Sequence, residues 1–255
     1  MPLSEELQAR TLARFEEHRR AWDANPALRV LYGDWYGQVA AELPPSALGP
    51  RVELGSGPGF AREFIPDLQL SDIVRAPWHD HELSAEALPF EAATVGALVM
   101  VDVLHHLPTP RRFFAEAGRV LRPGGRIVMC EPYVSPLSYP IYKIFHREEL
   151  ALGIDPLAGF DPTVGRARDP FDSNQAIPTL LFGRRRQLFS ETFPSLAVRR
   201  VAHLSGLSYP ASGGFSRRPF LPGALWSALH RLEARLPEVI FRTIGFRMLI
   251  VIEKR

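Results

Sequence analysis

Short apolar runs alternate along this chain with stretches of helical periodicity. Runs of strand length occur at Val52–Leu54, Leu68–Ser71, Val95–Val101 and Arg126–Cys130. The third run is apolar throughout, which is typical of a strand in the middle of a parallel sheet. Because strands and helices alternate, the pattern predicts an α/β fold, with a doubly wound, mostly parallel sheet and helices on both faces.

Helical patterns lie before and between these runs. Within residues 1–45, the segments 4–22 and 27–43 predict two N-terminal helices that pack beside the sheet or over its ligand-binding edge. Residues 61–65 predict a short helix, and residues 110–121 predict a longer one with a proline in its first turn.

Residues 131–194 lose this alternation and are rich in proline, glycine and aromatic residues. A long irregular segment in a compact domain is usually functional or disordered, and the aromatic content argues against disorder. We therefore expect this segment to form a cap inserted over the ligand edge. The tail regains order, with a strand predicted at 196–203, a helix at 224–236 and a last, antiparallel strand at 246–252.

Three glycines at alternate positions follow the first strand, in the run Glu53-Leu54-Gly55-Ser56-Gly57-Pro58-Gly59. Glycine allows a sharp turn and lets a ligand approach where a Cβ would block it. The first N–H groups of the helix that follows have no intrahelical partner, so they can face a ligand in the turn. The spacing differs from the dinucleotide fingerprint, whose third glycine is replaced here by Phe60. The run therefore predicts a nucleotide-type binding turn of another kind.

The acidic-x-Gly-x-Gly-x-Gly pattern resembles the first motif of class I S-adenosylmethionine-dependent methyltransferases. Further segments between residues 51 and 131 resemble the same family: Leu88-Pro89-Phe90, Val101-Asp102-Val103-Leu104-His105-His106-Leu107 and Arg119-Val120-Leu121-Arg122-Pro123-Gly124-Gly125. The resemblance implies a Rossmann-like methyltransferase fold with S-adenosylmethionine as the cofactor. It also points to the sequence-diverse group of small-molecule methyltransferases that includes ubiquinone and sterol enzymes.

The resemblance further implies a set of cofactor contacts. Glu53 is expected to accept a hydrogen bond from the cofactor's ammonium group, or alternatively to hold the N–H groups of the turn. Asp72, about 20 residues beyond the turn, is expected to bind both ribose hydroxyls. Asp102 is expected beside the reacting sulfonium, where a carboxylate is electrostatically favourable. The complete expected set is Glu53, Gly55, Ser56, Gly57, Gly59, Asp72, Ile73, Ser84, Ala85, Asp102 and Val103.

Two positions depart from the family pattern. The family often has Asp-Ala shortly before Leu-Pro-Phe, with the Asp on the adenine amine, whereas this chain has Ser84-Ala85. Serine can still accept a hydrogen bond, although it is shorter and uncharged. Gly96 replaces an Asp that is frequent just before the fourth strand. Both changes remove a carboxylate from the region of the expected site.

Methyl transfer is an in-line displacement at the sulfonium methyl, so the protein mainly aligns nucleophile and methyl, which can contribute about 7–11 kcal/mol. A general base is needed only where the nucleophile carries a proton with a high pKa. His105 and His106 are the candidate bases, because an imidazole titrates near a pKa of about 6.5. A structural role at the start of a helix is the alternative. No metal-ligand spacing stands out, and His79-x-His81 is interpreted as loop polarity.

Composition narrows the class of protein. The chain has 255 residues, of which 46% are apolar, and residues 1–255 fit a single domain. Cys130 is the only cysteine, so the chain forms no internal disulfide and offers no cysteine metal site, which favours a cytoplasmic location. The first residues lack a secretory-type apolar core, and no stretch approaches the roughly 20 apolar residues of a membrane span.

Charge is unevenly distributed, although the net charge is only +2. Residues 184–255 hold 13 Lys and Arg against 4 Asp and Glu. This excess indicates an anionic substrate, a lipid headgroup or nucleic acid, or simply the solvated faces of helices and strands. Aromatic residues do not interleave with the basic ones, so nucleic acid is not the expected partner.

The sequence thus predicts an enzyme that transfers a methyl group from S-adenosylmethionine to a small, partly apolar molecule. It does not distinguish oxygen, nitrogen or carbon as the methylated atom, nor the oligomeric state. One alternative is a non-catalytic protein with the same fold. It is suggested by Ser84 and Gly96. Another is an RNA methyltransferase, suggested by the basic tail. A nicotinamide oxidoreductase is disfavoured by Phe60.

Overall fold

The computed structural model of the protein describes residues 3–145, 148–159 and 168–255. These residues form a seven-stranded sheet with helices on both faces. Within this described part of the chain, no helix combines the length and the apolarity needed to cross a membrane.

The sheet has the strand order β3-β2-β1-β4-β5-β7-β6. Its strands are β1 (Arg51–Leu54), β2 (Leu68–Asp72), β3 (His81–Glu82), β4 (Val95–Val101), β5 (Leu121–Pro132), β6 (Leu196–Leu204) and β7 (Arg247–Lys254). The first five strands pair in parallel, whereas β7 runs antiparallel between β5 and β6. The predicted mostly parallel α/β sheet with an antiparallel last strand is therefore confirmed.

Parallel pairing brings the ends of β1, β2, β4 and β5 to one side of the sheet, which we call the carboxyl edge. Every residue of β4 is buried, as expected for a central strand. In open α/β sheets ligands bind outside the carboxyl ends of the strands. The carboxyl edge is therefore where the predicted site residues are brought together.

Helices cover both faces of the sheet. They are α1 (Glu5–Ala24), α2 (Pro26–Glu42), α3 (Pro110–Val120), α4 (Ser138–Phe145), α5 (Ile177–Thr179), α6 (Arg186–Thr192), α7 (Ser208–Ala211), α8 (Gly223–Glu233) and α9 (Glu238–Ile244). The aromatic side chains of α3 and α6 pack on one face, through Phe113, Phe114 and Phe189. Trp35 of α2 and Trp226 of α8 pack on the opposite face.

Two predicted elements take a different form. The helix predicted at 61–65 is a 3₁₀ turn, Phe60–Glu63, because Pro66 follows and leaves room for about one turn. Strand β5 begins at Leu121 rather than at Arg126, since Leu121 pairs with Val95 before a register shift. The predicted helix, α3, therefore passes directly into β5, with no residue between them.

Part of the segment 131–194, which is predicted to form a cap, packs into the core. A π-helical turn, Leu180–Arg184, joins α5 to α6, and this part of the chain supplies Ile177, Leu181 and Phe182 to the core. Burial of these side chains against the sheet explains why an aromatic-rich segment without regular periodicity is ordered here. Residues 146–147 and 160–167 of the predicted cap lie outside the described residues.

Candidate functional site

The glycine run after β1 forms the expected sharp turn at the carboxyl edge. Gly55, Gly57 and Gly59 all have a left-handed backbone, with φ of 69°, 48° and 82°. Residues with a Cβ rarely adopt this region, so the turn depends on glycine at these positions. Ser56 joins the turn to β2, since its N–H donates to the Ser71 carbonyl at 2.8 Å.

Three groups from the β2–β3 connection hold Gly57. Its N–H donates to Asp72 Oδ2 at 2.9 Å, and its carbonyl accepts a hydrogen bond from Trp78 Nε1 at 2.8 Å. The same carbonyl lies 2.8 Å from His79 Nε2. His79 is buried, so its interpretation as loop polarity does not fit the structure. Sequence reasoning missed it because a histidine in a loop carries no sign of burial.

Side chains of this chain cover the three glycines. A Cβ built on Gly55 would lie 2.7 Å from Val103, and one on Gly59 would lie 2.5 Å from Trp78. The ring of Phe15, on α1, is 3.6 Å from the corresponding position at Gly57. A helix of the N-terminal pair thus reaches over the turn. A ligand that contacts these glycines has to displace Phe15 or Trp78.

A small cavity adjoins the turn on the side of α1. It has a volume of about 390 Å³ and is bordered by Gly59, Phe60 and Trp78. Arg19 crosses its mouth, with its guanidinium 4.4 Å from the Trp78 ring centroid and a 2.8 Å hydrogen bond from Nη1 to the Pro58 carbonyl. Rotation of Trp78 would join this cavity to the glycine turn.

Glu53 is a buried acid with one unused oxygen. Its side chain is 1% exposed, and Oε1 accepts a hydrogen bond from the Tyr36 hydroxyl at 2.8 Å. Oε2 is buried and has no hydrogen-bond partner among the described residues. Burial raises the pKa of Glu53 to about 7, against the lowering effect of the nearby Ser56 and Tyr36 hydroxyls. A cation or an N–H donor at Oε2 would satisfy this oxygen and favour its ionised form.

Asp72 ends β2 with both oxygens engaged by the backbone. Besides the bond from Gly57, Oδ1 accepts a hydrogen bond from Val74 N at 3.1 Å. Burial raises the pKa of Asp72, and the hydrogen bonds from Gly57 and Val74 act in the opposite direction. Ile73 beside it is 46% exposed and free to meet a ligand.

The two positions that depart from the family pattern lie at opposite sides of the sheet, Ser84 beyond β3 and Gly96 at the start of β4. Ser84 is exposed, and its hydroxyl accepts a hydrogen bond from Glu86 N at 3.2 Å, while Ala85 is half-buried. Gly96 lies at the opposite end of β4, where a Cβ would be 2.7 Å from the Gly49 carbonyl. Glycine at 96 therefore has a packing reason, independent of any ligand.

Asp102 follows β4 in a strained backbone conformation, with φ of 60°. Arg247 Nη1 lies 2.5 Å from its Oδ1, and the Tyr32 hydroxyl is 3.2 Å from its Oδ2. Arg247 also donates to the Tyr209 hydroxyl at 2.7 Å. The carboxylate predicted beside the sulfonium is thus already paired with an arginine. Sequence reasoning missed this partner because Arg247 is 145 residues away.

The two candidate bases differ in charge. His105 is buried, and its Nδ1 lies 2.7 Å from Glu131 Oε2. Burial opposes protonation of His105, but the hydrogen bond to Glu131 and the nearby negative charge of Glu148 outweigh it and raise the pKa to about 10. Burial and the neighbouring His105 lower the pKa of His106 to about 4, and its Nδ1 has no hydrogen-bond partner among the described residues. Near neutral pH, His106 is therefore the one able to accept a proton.

Glu131 connects this pair to the cofactor turn. Its Oε1 accepts hydrogen bonds from Val103 N and Leu104 N, both at 2.8 Å. Val103 in turn packs against Gly55. Glu131 thus fixes the loop after β4 from both of its oxygens, although no sequence pattern assigned it a role.

A larger cavity, of about 660 Å³, opens where β5 ends, on the face that carries α3 and α6. Its floor is formed by Tyr133, Val201, His203 and Met248, and arginines stand at its rim. Its lining mixes apolar and aromatic side chains with polar ones, and its volume lies in the usual range of small-molecule sites. The rim arginines are Arg184, Arg186 and Arg242.

In a comparison with known protein families, residues 52–129 match one described as "Methyltransferase domain". Demethylmenaquinone methyltransferase of Tropheryma whipplei (strain Twist) is 37% identical over 62 residues, which is 24% of this chain and 26% of that protein. An uncharacterized 37.1 kDa protein in transposon TN4556 of Streptomyces fradiae is 36% identical over 98 residues, 37% of this chain and 28% of that protein. The matches therefore span about a quarter of each relative's length.

Solved structures share the fold. One is a chain from the complex between the Haloferax volcanii Trm112 methyltransferase activator and a methyltransferase. It superposes with a TM-score of 0.54 at 15% identity, over 99% of this chain and 99% of that chain. This likeness confirms the Rossmann-like architecture predicted from the alternating strands and helices.

Proposed function

We propose, from the match of residues 52–129 to a methyltransferase family and from the motifs that resemble class I S-adenosylmethionine-dependent enzymes, that this protein methylates a small, partly apolar molecule. The observation that carries the proposal is the glycine turn beside Glu53. All three of its glycines have positive φ, and the buried Glu53 Oε2 next to them has no partner among the described residues. This combination suits a ligand that brings a cationic donor to the turn.

The residues at the turn fit S-adenosylmethionine. Glu53 would accept a hydrogen bond from the ammonium group. Asp72 would bind the ribose hydroxyls, because each of its oxygens accepts one backbone N–H and retains a further lone pair. Ile73, which is exposed at the end of β2, would cover the adenine. When bound, the cofactor supplies an activated methyl group together with its own leaving group.

The chain's own contribution is alignment and control of protons. Val103 and Leu104 are fixed by Glu131, so the loop after β4 is held in one position at the carboxyl edge. The neutral His106 would take the proton of an acceptor that carries one. His105 is charged and hydrogen-bonded to Glu131, which suits a positioning role.

The large cavity is proposed as the acceptor site. It begins at Tyr133, two residues beyond Glu131 on the same strand end, and its aromatic walls suit an apolar body. The relative from Tropheryma whipplei is named for demethylmenaquinone, an apolar quinone, which agrees with an acceptor of this character. The rim arginines would favour an acceptor with an anionic group.

The basic tail gives weaker support for an RNA substrate. Arg199 pairs with Glu253 at 2.7 Å, and Arg200 pairs with Glu42 at 2.6 Å. Part of the excess positive charge is therefore compensated within the fold. A methyltransferase acting on RNA would show tRNA binding that weakens steeply with salt.

Calorimetric titration of the full chain with S-adenosylmethionine tests the cofactor. We expect one site per chain, and an absence of heat at millimolar cofactor would favour the non-catalytic alternative. A cell extract incubated with protein and cofactor, followed by mass spectrometry, tests the activity. We expect a small metabolite to gain the mass of one CH₂ group, whereas methylation of RNA alone would contradict the small-molecule proposal.

Substitutions at Gly183, assayed with that metabolite, test whether the cavity binds the acceptor. Gly183 lines the cavity and has open space where a side chain would extend. Gly183→Trp is expected to raise the KM for the acceptor at least about tenfold, the effect of losing roughly 1.4 kcal/mol of binding. Gly183→Ala adds a methyl without contacts and serves as the control. An unchanged KM in the tryptophan variant would place the acceptor elsewhere.

A further inference from the structure

We propose that His105, His106 and Glu148 bind a divalent transition-metal ion at the carboxyl edge. Each residue offers one ligand atom, and these atoms all lie within 4.8 Å of one another. Two imidazoles and a carboxylate form the donor set found in many three-ligand zinc centres. Nothing in the family match assigns such a site, and in the metal-bound protein His106 would act as a ligand instead of as the proposed base.

The spacing of two of these ligands favours an ion between them. His105 Nε2 and Glu148 Oε2 are 3.5 Å apart. A charge-assisted N–H···O hydrogen bond is shorter, at about 2.7–2.9 Å. Two tetrahedral ligands of zinc, each with a bond of about 2.1 Å, stand about 3.4 Å apart. The observed separation thus matches two ligands of one ion better than a direct bond.

The opposite nitrogen of His105 is held as in established metal centres. Its Nδ1 lies 2.7 Å from Glu131 Oε2, so an N–H there donates to the carboxylate, and an ion would replace the proton of Nε2, which faces Glu148. A metal-bound histidine almost always donates its other N–H to a carboxylate, a carbonyl or water. Glu131 is therefore a positioning residue that orients the metal ligand His105.

Unpartnered buried atoms provide an independent observation. His106 Nδ1 is buried and has no hydrogen-bond partner among the described residues. Gln175 is 3% exposed and donates through Nε2 to Glu148, while its buried Oε1 has no partner within the same described part of the chain. Buried polar atoms are normally satisfied, so the unpartnered Nδ1 of His106, which belongs to the ligand set, points to a ligand that binds there.

Three protein ligands leave one coordination position of a four-coordinate ion open. Structural zinc sites are closed by four ligands, whereas a fourth position occupied by water or substrate is typical of catalytic sites. Borderline ions that accept both imidazole and carboxylate, such as Zn²⁺ and Co²⁺, suit the set. Val103, fixed by the same Glu131, connects this position to the glycine turn through packing on Gly55.

The competing interpretation is a proton in place of the metal. His105, as an imidazolium between Glu131 and Glu148, would need no ion. This alternative leaves His106 Nδ1 unsatisfied, which is why the metal is favoured. The two interpretations differ in a direct measurement, since only one of them requires metal at Glu148.

The experiment uses the full chain, treated with a chelator and titrated with Zn²⁺, with no S-adenosylmethionine present. We expect one ion per chain, and we expect Co²⁺ to give the visible absorption of a four-coordinate site. Glu148→Gln should weaken Zn²⁺ binding at least tenfold. Its side chain is partly exposed, so this variant is expected to fold, which circular dichroism can verify.

Glu149→Gln is the matched control, because its residue is exposed, adjacent in sequence and outside the ligand set. It should bind Zn²⁺ like the parent. Glu131→Gln should weaken binding about 10–100-fold, the usual cost of losing such a partner. Absence of stoichiometric binding, or equal affinity in Glu148→Gln and Glu149→Gln, would overturn the proposal. Because the cofactor is left out, this result is independent of whether methyl transfer occurs.

Discussion

Two buried polar regions meet at the carboxyl edge, and they are built in different ways. The glycine turn is local, since Asp72, Trp78 and His79 contact Gly57 from within 22 residues of it. The histidine region is assembled from distant segments, because Glu131 and Asn174 reach His105 from 26 and 69 residues away. Neighbouring residues therefore form the first region, whereas the second exists only once the sheet is complete.

The two regions also differ in how their buried charge is compensated. Glu53 at the turn has a hydroxyl on one oxygen and no partner for the other among the described residues. Glu131 in the histidine region has a cation on one oxygen and two N–H donors on the other. An uncompensated acid suits the binding of a cationic ligand, and a compensated one suits the stability of the fold.

The largest expected effect comes from breaking the histidine region. Glu131→Ala should lower the free energy of unfolding by about 3–5 kcal/mol, because it leaves a buried cation and two backbone N–H groups without their acceptor. Urea denaturation followed by circular dichroism measures this. Glu149→Ala, at an exposed position, should change stability by less than about 0.5 kcal/mol. Equal stability of the two variants would remove the distinction drawn between the regions.

This difference in construction explains what the sequence could predict. The glycine spacing and the strand periods are local signals, and they led to the sheet, the turn and Asp72 at the end of β2. The partner of Asp102 is Arg247, on the last strand, and no local pattern links them. The role of Glu131 was missed for the same reason, although it lies near the end of β5, directly beyond the matched region.

The cap over the substrate site at residues 131–194 stays a prediction, but the sequence did not indicate that part of this segment packs into the core. Proline and aromatic content indicated an ordered segment but not its destination. Leu181 and Phe189 pack on the sheet beside α3, so the second half of the segment belongs to the core. Periodicity could not reveal this, because a three-residue helix and a π-helical turn give no regular apolar spacing.

At the turn, Gly57→Val is expected to weaken S-adenosylmethionine binding at least about 100-fold, or roughly 2.7 kcal/mol. A β-branched residue is a strong outlier at a φ of 48°, so the turn would change shape. Gly124→Val is the matched control, because Gly124 has a φ of 78° and open space around it at the opposite edge of the sheet. Calorimetry compares the two, and equal affinity would show that the turn is not the binding site.

A smaller effect is expected at the end of β2. Asp72→Ala should weaken cofactor binding by about 1–3 kcal/mol, the usual range for a lost charged hydrogen bond. Part of this loss comes from Gly57, whose N–H loses its acceptor. Asp67→Ala removes an exposed acid that precedes the same strand, and it should leave the affinity unchanged. Parental affinity in Asp72→Ala would refute the ribose contact.

The smallest expected effect is a pH dependence of cofactor affinity at the glycine turn. The pKa of free Glu53 is raised to about 7, chiefly by burial, and a bound ammonium would favour its carboxylate. Binding then releases a proton, so cofactor affinity should rise with pH and fall about tenfold per unit below the pKa. Titration calorimetry between about pH 5.5 and 7 measures this dependence while the ligand's α-amino group, with a pKa of about 7.7–8.0, stays charged.

Two substitutions test whether Glu53 causes this pH dependence of cofactor affinity. Glu53→Gln should bind with nearly constant affinity over the same range, because no carboxylate remains to be ionised. Tyr36→Phe removes a hydrogen bond that lowers the pKa of Glu53, so the affinity curve should shift to higher pH. If the Glu53→Gln variant kept the parent's pH profile, the turn would bind its ligand without using the acid. The distinction drawn between the turn and the histidine region would then not hold.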